Sequence, residues 1–224
     1  MHLNGIIPSL TNYLLLTNLP AMPKRLRNQT ITIAPGIRGR IGNDGPEVFD
    51  EILQKPLDPN NVIDKIRIYQ RQVENWFLKP AKKLVKAQKE NNHNGFIVLM
   101  ICLSYIEGIE QYRQGRDSRG HSKEFFIQGL KRLYPNQFGD RDDRNLINLY
   151  RDARCGLFHN GMVEGTILIN SNFPESIKFE TNSDIKINHK SFLRDIEQDF
   201  KKYITELTSN EDLKRNFDSM FSVL

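Results

Sequence analysis

"RNLINLYRDARCGLFHNG", Arg144 to Gly161, decides how the rest of the chain reads. Its apolar residues return every three or four positions, the spacing of a helix with one buried face. At about 100° per residue, Leu146, Leu149, Tyr150, Ala153 and Leu157 gather on one side. Asn148, Asp152, Cys155 and His159 gather on the opposite side, with Arg151, Arg154 and Phe158 on the flank between. Gly161 stands where a helix ends on a left-handed residue. Arg154 and His159 both avoid the core, yet in a regular α-helix they diverge by about 140°. One spot is served by both only where the helix end unwinds or a second molecule completes the site. Gly156 and Gly161 favour irregular winding there. A helix terminus with a basic residue near its cap accounts for the same letters.

Working outward, "GFIVLMICLSYIEGIEQYRQG" (95–115) is apolar all round in its first half, which predicts a central helix with Glu107 and Glu110 at its polar end. "KEFFIQGLKRLYP" (123–135) predicts another, burying Phe125, Phe126, Leu130 and Leu133. Earlier, Val62, Ile66, Tyr69, Val73, Trp76 and Phe77 form a helical stripe, kinked or divided at Pro80. Order is expected to begin near Pro46, with "EVFDEIL" (47–53) as a short helix. Residues 1–45 read as an irregular arm, because proline recurs and "PGIRGRIGNDGP" (35–46) is dense in turn formers. Within it, Lys24, Arg25, Arg27, Arg38 and Arg40 form a cluster able to touch phosphates, and Met22 is an alternative start. After Gly161, "TILIN", "SIKFE" and "DIKIN" are short, β-branched and alternating. They predict a small antiparallel β-meander at about 166–188, followed by a helix at about 189–207. The fold class is therefore mainly α: a helical bundle over residues 46–224 with a β-meander near its C-terminal end.

The 224 residues carry a net charge of +5, which permits a polyanionic partner without requiring one. Cys102 lies in an apolar run and reads as a buried thiol; neither it nor Cys155 has metal-ligand spacing. The five histidines are scattered, so no metal and no cofactor is expected. No phosphate loop, dinucleotide fingerprint or nucleophile elbow is present. Cys155 and His159 lie four apart, but no third group orients them as a nucleophile and base. No apolar run is long enough to predict a membrane span, and the reduced cysteines suit the cytoplasm.

A mostly helical chain with R-x4-H at the end of a late helix resembles the HEPN superfamily. The resemblance covers roughly residues 60–205 and rests on that motif and its place in the helix order. It implies a metal-independent endoribonuclease of the toxin–antitoxin or phage-defence kind, with Arg154 and His159 as catalytic pair in a site shared by a homodimer. RNA is then the substrate, and an antitoxin or other protein a further partner. The chemistry suits the residue types: imidazole moves protons near neutrality, and guanidinium binds phosphate in bidentate fashion. The residue after the motif arginine is Cys155, whereas active members often have Asn, Asp or His. Arg151, Asp152 and Asn160 are expected to support the pair. A second R-x4-H match, Arg116 to His121, falls in a Gly-rich loop, where Arg116, Arg119 and His121 are candidate RNA contacts. The alternative to an enzyme is a non-catalytic nucleotide- or RNA-binding module, or a dimerisation module using the same face.

Overall fold

The computed structural model of this chain describes residues 29–42, 45–87, 94–139 and 143–223, and most of them are helical. Strands β1 (Ile31–Ala34), β2 (Ile37–Gly42), β3 (Gly45–Asp50) and β4 (Lys55–Leu57) come first, in an antiparallel sheet ordered as in the sequence. Helix α1 (Val62–Gln72) runs through a π-helical segment (Val73–Leu78) into α2 (Lys79–Lys86). Then follow α3 (Gly95–Gln114), α4 (Ser122–Leu133), the short α5 (Pro135–Phe138) and α6 (Arg144–Leu149), which continues into a second π-helical segment (Tyr150–Asn160). Strands β5 (Ile167–Ile169), β6 (Ile177–Phe179) and β7 (Ile185–Ile187) precede α7 (His189–Ser209) and α8 (Glu211–Met220).

The expectation of an irregular segment up to residue 45 is corrected from Ile31 onward. There the chain forms a hairpin, and "EVFDEIL" is strand β3 and a turn rather than a helix. Along β2, Ile37 and Gly39 face the core while Arg38 and Arg40 face out, pairing across the strands with Glu51 and Glu47. Gly39 occupies its inward position because a Cβ there would sit 2.2 Å from the side chain of Ile33. The sheet is pinned to α1 by Asp50, which is fully buried. Its Oδ1 accepts from the amides of Ile52 and Leu53 and from Arg71 Nη1 at 2.9 Å. The possible start at Met22 and the cations Lys24, Arg25 and Arg27 lie outside the described residues.

The α1 stripe holds through Ile66, Tyr69 and Val73, and then the register changes. Trp76 and Phe77 are 44% and 50% exposed, and Leu78 takes the buried position. Pro80 lacks the amide that would bond the carbonyl of Trp76, and its ring crowds that carbonyl. Wider π winding accommodates the ring and moves the next residue inward.

Helix α3 is the core helix, packed on by α2, α4, α7, α8 and the second π-helical segment. Among the described residues it is the one helix long and apolar enough to cross a bilayer, and half of that apolar stretch is buried in this fold. At the far end of the core, Tyr69, Tyr112, Phe200, Phe217 and Phe221 form an aromatic cluster joining α1, α3, α7 and α8. Its ring centroids lie 4.8 Å apart for Tyr69–Tyr112 and 5.1 Å for Phe217–Phe221.

The three strands after Gly161 lie where expected, but they are not a meander. Their order is β5-β7-β6, with β5 parallel to β7 and β6 antiparallel to it. The connection from β5 crosses the end of β7, held by Asn188, whose Nδ2 donates to the carbonyls of Ser171 and Phe173. The Asn188 Oδ1 meanwhile caps α7 through the amides of Lys190 and Ser191.

Replacing Asp50 with Ala strands a half-buried guanidinium and two turn amides, and should cost about 2–4 kcal/mol in urea unfolding. Burial raises the Asp50 pKa, but Arg71 and the Leu53 and Ile52 amides together hold it below its ordinary value of 3.8. Its contribution is therefore complete above that value and is lost as pH falls through the lower folded one. The gap between wild type and Asp50→Ala should narrow in strong acid.

Candidate functional site

Arg154 projects from the second π-helical segment towards α3. Its Nη2 donates to Glu107 Oε2 at 2.8 Å, and the other Glu107 oxygen accepts from Ser118 Oγ at 2.7 Å. The guanidinium lies over Phe158 (5.0 Å to the ring centre) and near Tyr150 (5.7 Å), so aromatic residues four positions either side bracket it. Its Nε is buried and has no hydrogen-bond partner among the described residues. Glu107 is 7% exposed; a carboxylate so enclosed requires both donors.

The winding changes how the motif reads. Helices closed by i→i+5 hydrogen bonds bring residues five apart round to one side, as i→i+4 bonding does for residues four apart. Arg154 and His159 are five apart and both lie in the π-helical segment, so their divergence is well below that of an α-helix. No hydrogen bond joins them. His159 and Asn160 are exposed, and neither side chain makes a hydrogen bond or ion pair among the described residues. Gly161 ends the segment with φ +73°, as its position in the sequence implies.

The same winding turns Asp152 away from His159. Asp152 is 3% exposed and accepts from Nε and Nη2 of Arg151 and from Thr166 Oγ1 at 3.3 Å. Its carbonyl accepts from the Glu164 amide at 3.0 Å, so Asp152 fastens the returning chain to the helix. Arg151 is exposed but engaged by Asp152. Cys155 faces Tyr150 rather than His159: burial first, and then the hydrogen bond with Cys155, raise the phenol's pKa.

The loop 115–121 reaches this region through Ser118. Arg116 is bonded to Glu124 and stacked on Phe125, Arg119 is paired with Asp117, and His121 Nδ1 lies 3.4 Å from Glu124. These three side chains are therefore near the site by chain connection, each already beside a carboxylate. Of the two glutamates at the polar end of α3, Glu107 joins the site. Glu110 instead pairs with Arg132, which also grips Asp199. Sequence reasoning missed Tyr150 and Phe158 as partners of Arg154, and Ser118 as the second donor to Glu107. The spacing of Tyr150, Arg154 and Phe158 carried that signal for the aromatics, whereas nothing local marked Ser118.

Comparison with protein-family models, with curated proteins and with solved structures returns no match. The candidate site therefore rests on its own geometry.

Gly156 sits where the returning chain crosses, and a Cβ there would lie 2.6 Å from the carbonyl oxygen of Met162. Gly156→Ala must displace that backbone and should cost about 1–3 kcal/mol. His159→Ala should change stability by less than about 0.5 kcal/mol, because the side chain is exposed and unbonded. Thermal unfolding of both variants checks this pair of expectations.

Proposed function

We propose that this chain is a HEPN-like, RNA-binding protein that cleaves RNA without a metal, using Arg154 and His159 in a site completed by a second copy. The observation that carries the reading is the π-helical winding. It turns an R-x4-H pair that an α-helix would splay towards one side, leaving the imidazole in solvent and the guanidinium with an unpaired buried Nε. An RNA phosphate supplies the missing acceptor, and Glu107 and the two flanking rings hold the guanidinium ready for it. The 2′-oxygen attacks phosphorus as the P–O5′ bond breaks, giving a 2′,3′-cyclic phosphate and a 5′-hydroxyl. One imidazole accepts the 2′ proton, and the second copy's imidazole donates one to the departing 5′-oxygen. Phe158 and Met162, 41% and 63% exposed at the outer end of the segment, give a second copy an apolar surface to cover. The cytoplasm is the compartment proposed, with an antitoxin-like protein as a further partner.

The Glu107–Arg154 ion pair favours a second reading, in which the same face binds RNA or a second copy without turnover. The two readings part on products. Cleavage should persist in EDTA, leave 2′,3′-cyclic phosphate ends and spare all-deoxy substrates. His159→Ala should lower the rate at least about 100-fold, and His121→Ala should leave it within about twofold. Cleavage lost on chelation, or insensitive to His159→Ala, overturns the nuclease. RNA bound by wild type and released by Arg154→Ala, with no product formed, establishes the second reading.

A further inference from the structure

A cavity of about 410 Å³ lies between the β1–β2 turn, the turn after β3, α1 and the first π-helical segment. That volume suits a small ligand. Three cations face it: Arg67 and Arg71, one turn apart on α1, and Lys79 at the start of α2. Each guanidinium gives Nη1 to its own carboxylate, Arg67 to Asp64 at 2.8 Å and Arg71 to Asp50 at 2.9 Å. Those bonds fix the two forks and leave Nε and Nη2 of both for another acceptor. Lys79 Nζ is held by the Asn75 Oδ1 at 2.8 Å and has no carboxylate among the described residues. The lining also offers one carboxylate, Glu74, steadied by Gln70 Nε2 at 2.8 Å. Pro35 and Ile52 supply an apolar wall, and Ile52 is 66% exposed.

We propose that this cavity is a nucleotide site. The phosphate is taken by Arg67, Arg71 and Lys79, with two guanidinium edges and one ammonium converging on it. Glu74 accepts from the ribose hydroxyls, the role a carboxylate plays wherever a protein holds a ribose diol. The base lies on Ile52 and Pro35. The π-helical winding of residues 73–78 places Glu74 and Asn75 on the cavity, and such segments concentrate at functional sites. The ligand is either a free mononucleotide or the 5′-phosphorylated end of an RNA; both present the same phosphate and ribose. The cavity shares no lining residue with the Arg154 site, and the proposal stands apart from RNA cleavage.

Trp76, the one tryptophan in the chain, belongs to the same segment as Glu74 and provides the readout. The full chain is titrated with AMP, GMP, CMP, UMP, their nucleosides and a 5′-phosphorylated triribonucleotide, following Trp76 fluorescence and calorimetry. Saturable binding of at least one phosphorylated probe is expected, with its nucleoside at least tenfold weaker. The double variant Arg67→Gln, Lys79→Gln should lose at least tenfold in affinity while unfolding at the wild-type temperature. Glu74→Gln should erase the preference for ribose over deoxyribose. The triribonucleotide binding more tightly than any mononucleotide identifies an RNA end as the ligand; the reverse order identifies a free nucleotide. His159→Ala should bind the mononucleotides as wild type does. No saturation by any phosphorylated probe, equal affinity for nucleosides, an undisturbed double variant, or loss of mononucleotide binding on His159→Ala each overturns the proposal.

Discussion

Two carboxylates on the core helix set the conditions that its neighbours must meet. Glu107 and Glu110 are each 7% exposed, one turn apart at the polar end of α3. Enclosing a carboxylate costs several kcal/mol unless donors surround it. Glu107 is met by Ser118 from the following loop and Arg154 from the second π-helical segment. Glu110 is met by Arg132 from α4, which reaches on to Asp199 in α7. Each arginine thus ties a separate helix to α3 at a fixed azimuth, and the apolar packing of Val98, Leu99, Cys102, Leu103 and Ile106 needs only to fill in behind. The candidate site is a by-product of that arrangement: Arg154 is rigid because Glu107 must be neutralised.

Much of this was legible from residue order. The all-apolar first half of α3 marks it as central, Phe125, Phe126 and Leu130 of α4 bury as spaced with Leu133 partly buried, and Gly161 ends its helix in the left-handed conformation. The winding of residues 150–160 was not legible, because a hydrophobic pattern at three- and four-residue steps cannot separate α from π over two turns. Leu146, Leu149, Ala153 and Leu157 satisfy both. The consequence is specific: an α-helical wheel groups His159 with Asp152, whereas the winding present separates them and turns His159 towards the side of Arg154. The same ambiguity hid the exposure of Trp76 and Phe77.

The N-terminal sheet escaped notice for a different reason. Alternation in β2 runs Ile37, Arg38, Gly39, Arg40, and a glycine at an inward position removes the apolar letter that would have completed a strand pattern. The glycine is there because Ile33 from the neighbouring strand fills its place. Such cross-strand substitution of volume is invisible in one strand read alone. The order of β5, β6 and β7 was hidden in a similar way. All three alternate alike, and their arrangement is settled by Asn188 pinning the connection across the sheet, a bond between residues 15 and 17 positions apart.

The aromatic cluster has a bearing on how the protein comes into being. Tyr69 and Tyr112 are made well before Phe217 and Phe221, the rings that cover them. Until they arrive, Tyr69 and Tyr112 lack that covering, and incompletely covered apolar surface makes a folding chain prone to association. Helix α3, which carries Glu107, is covered at that end by α8 together with Tyr69 of α1 and Phe200 of α7. The end of α8 thus acts as a latch, and a polypeptide released before Phe217 lacks the two rings that complete the aromatic cluster.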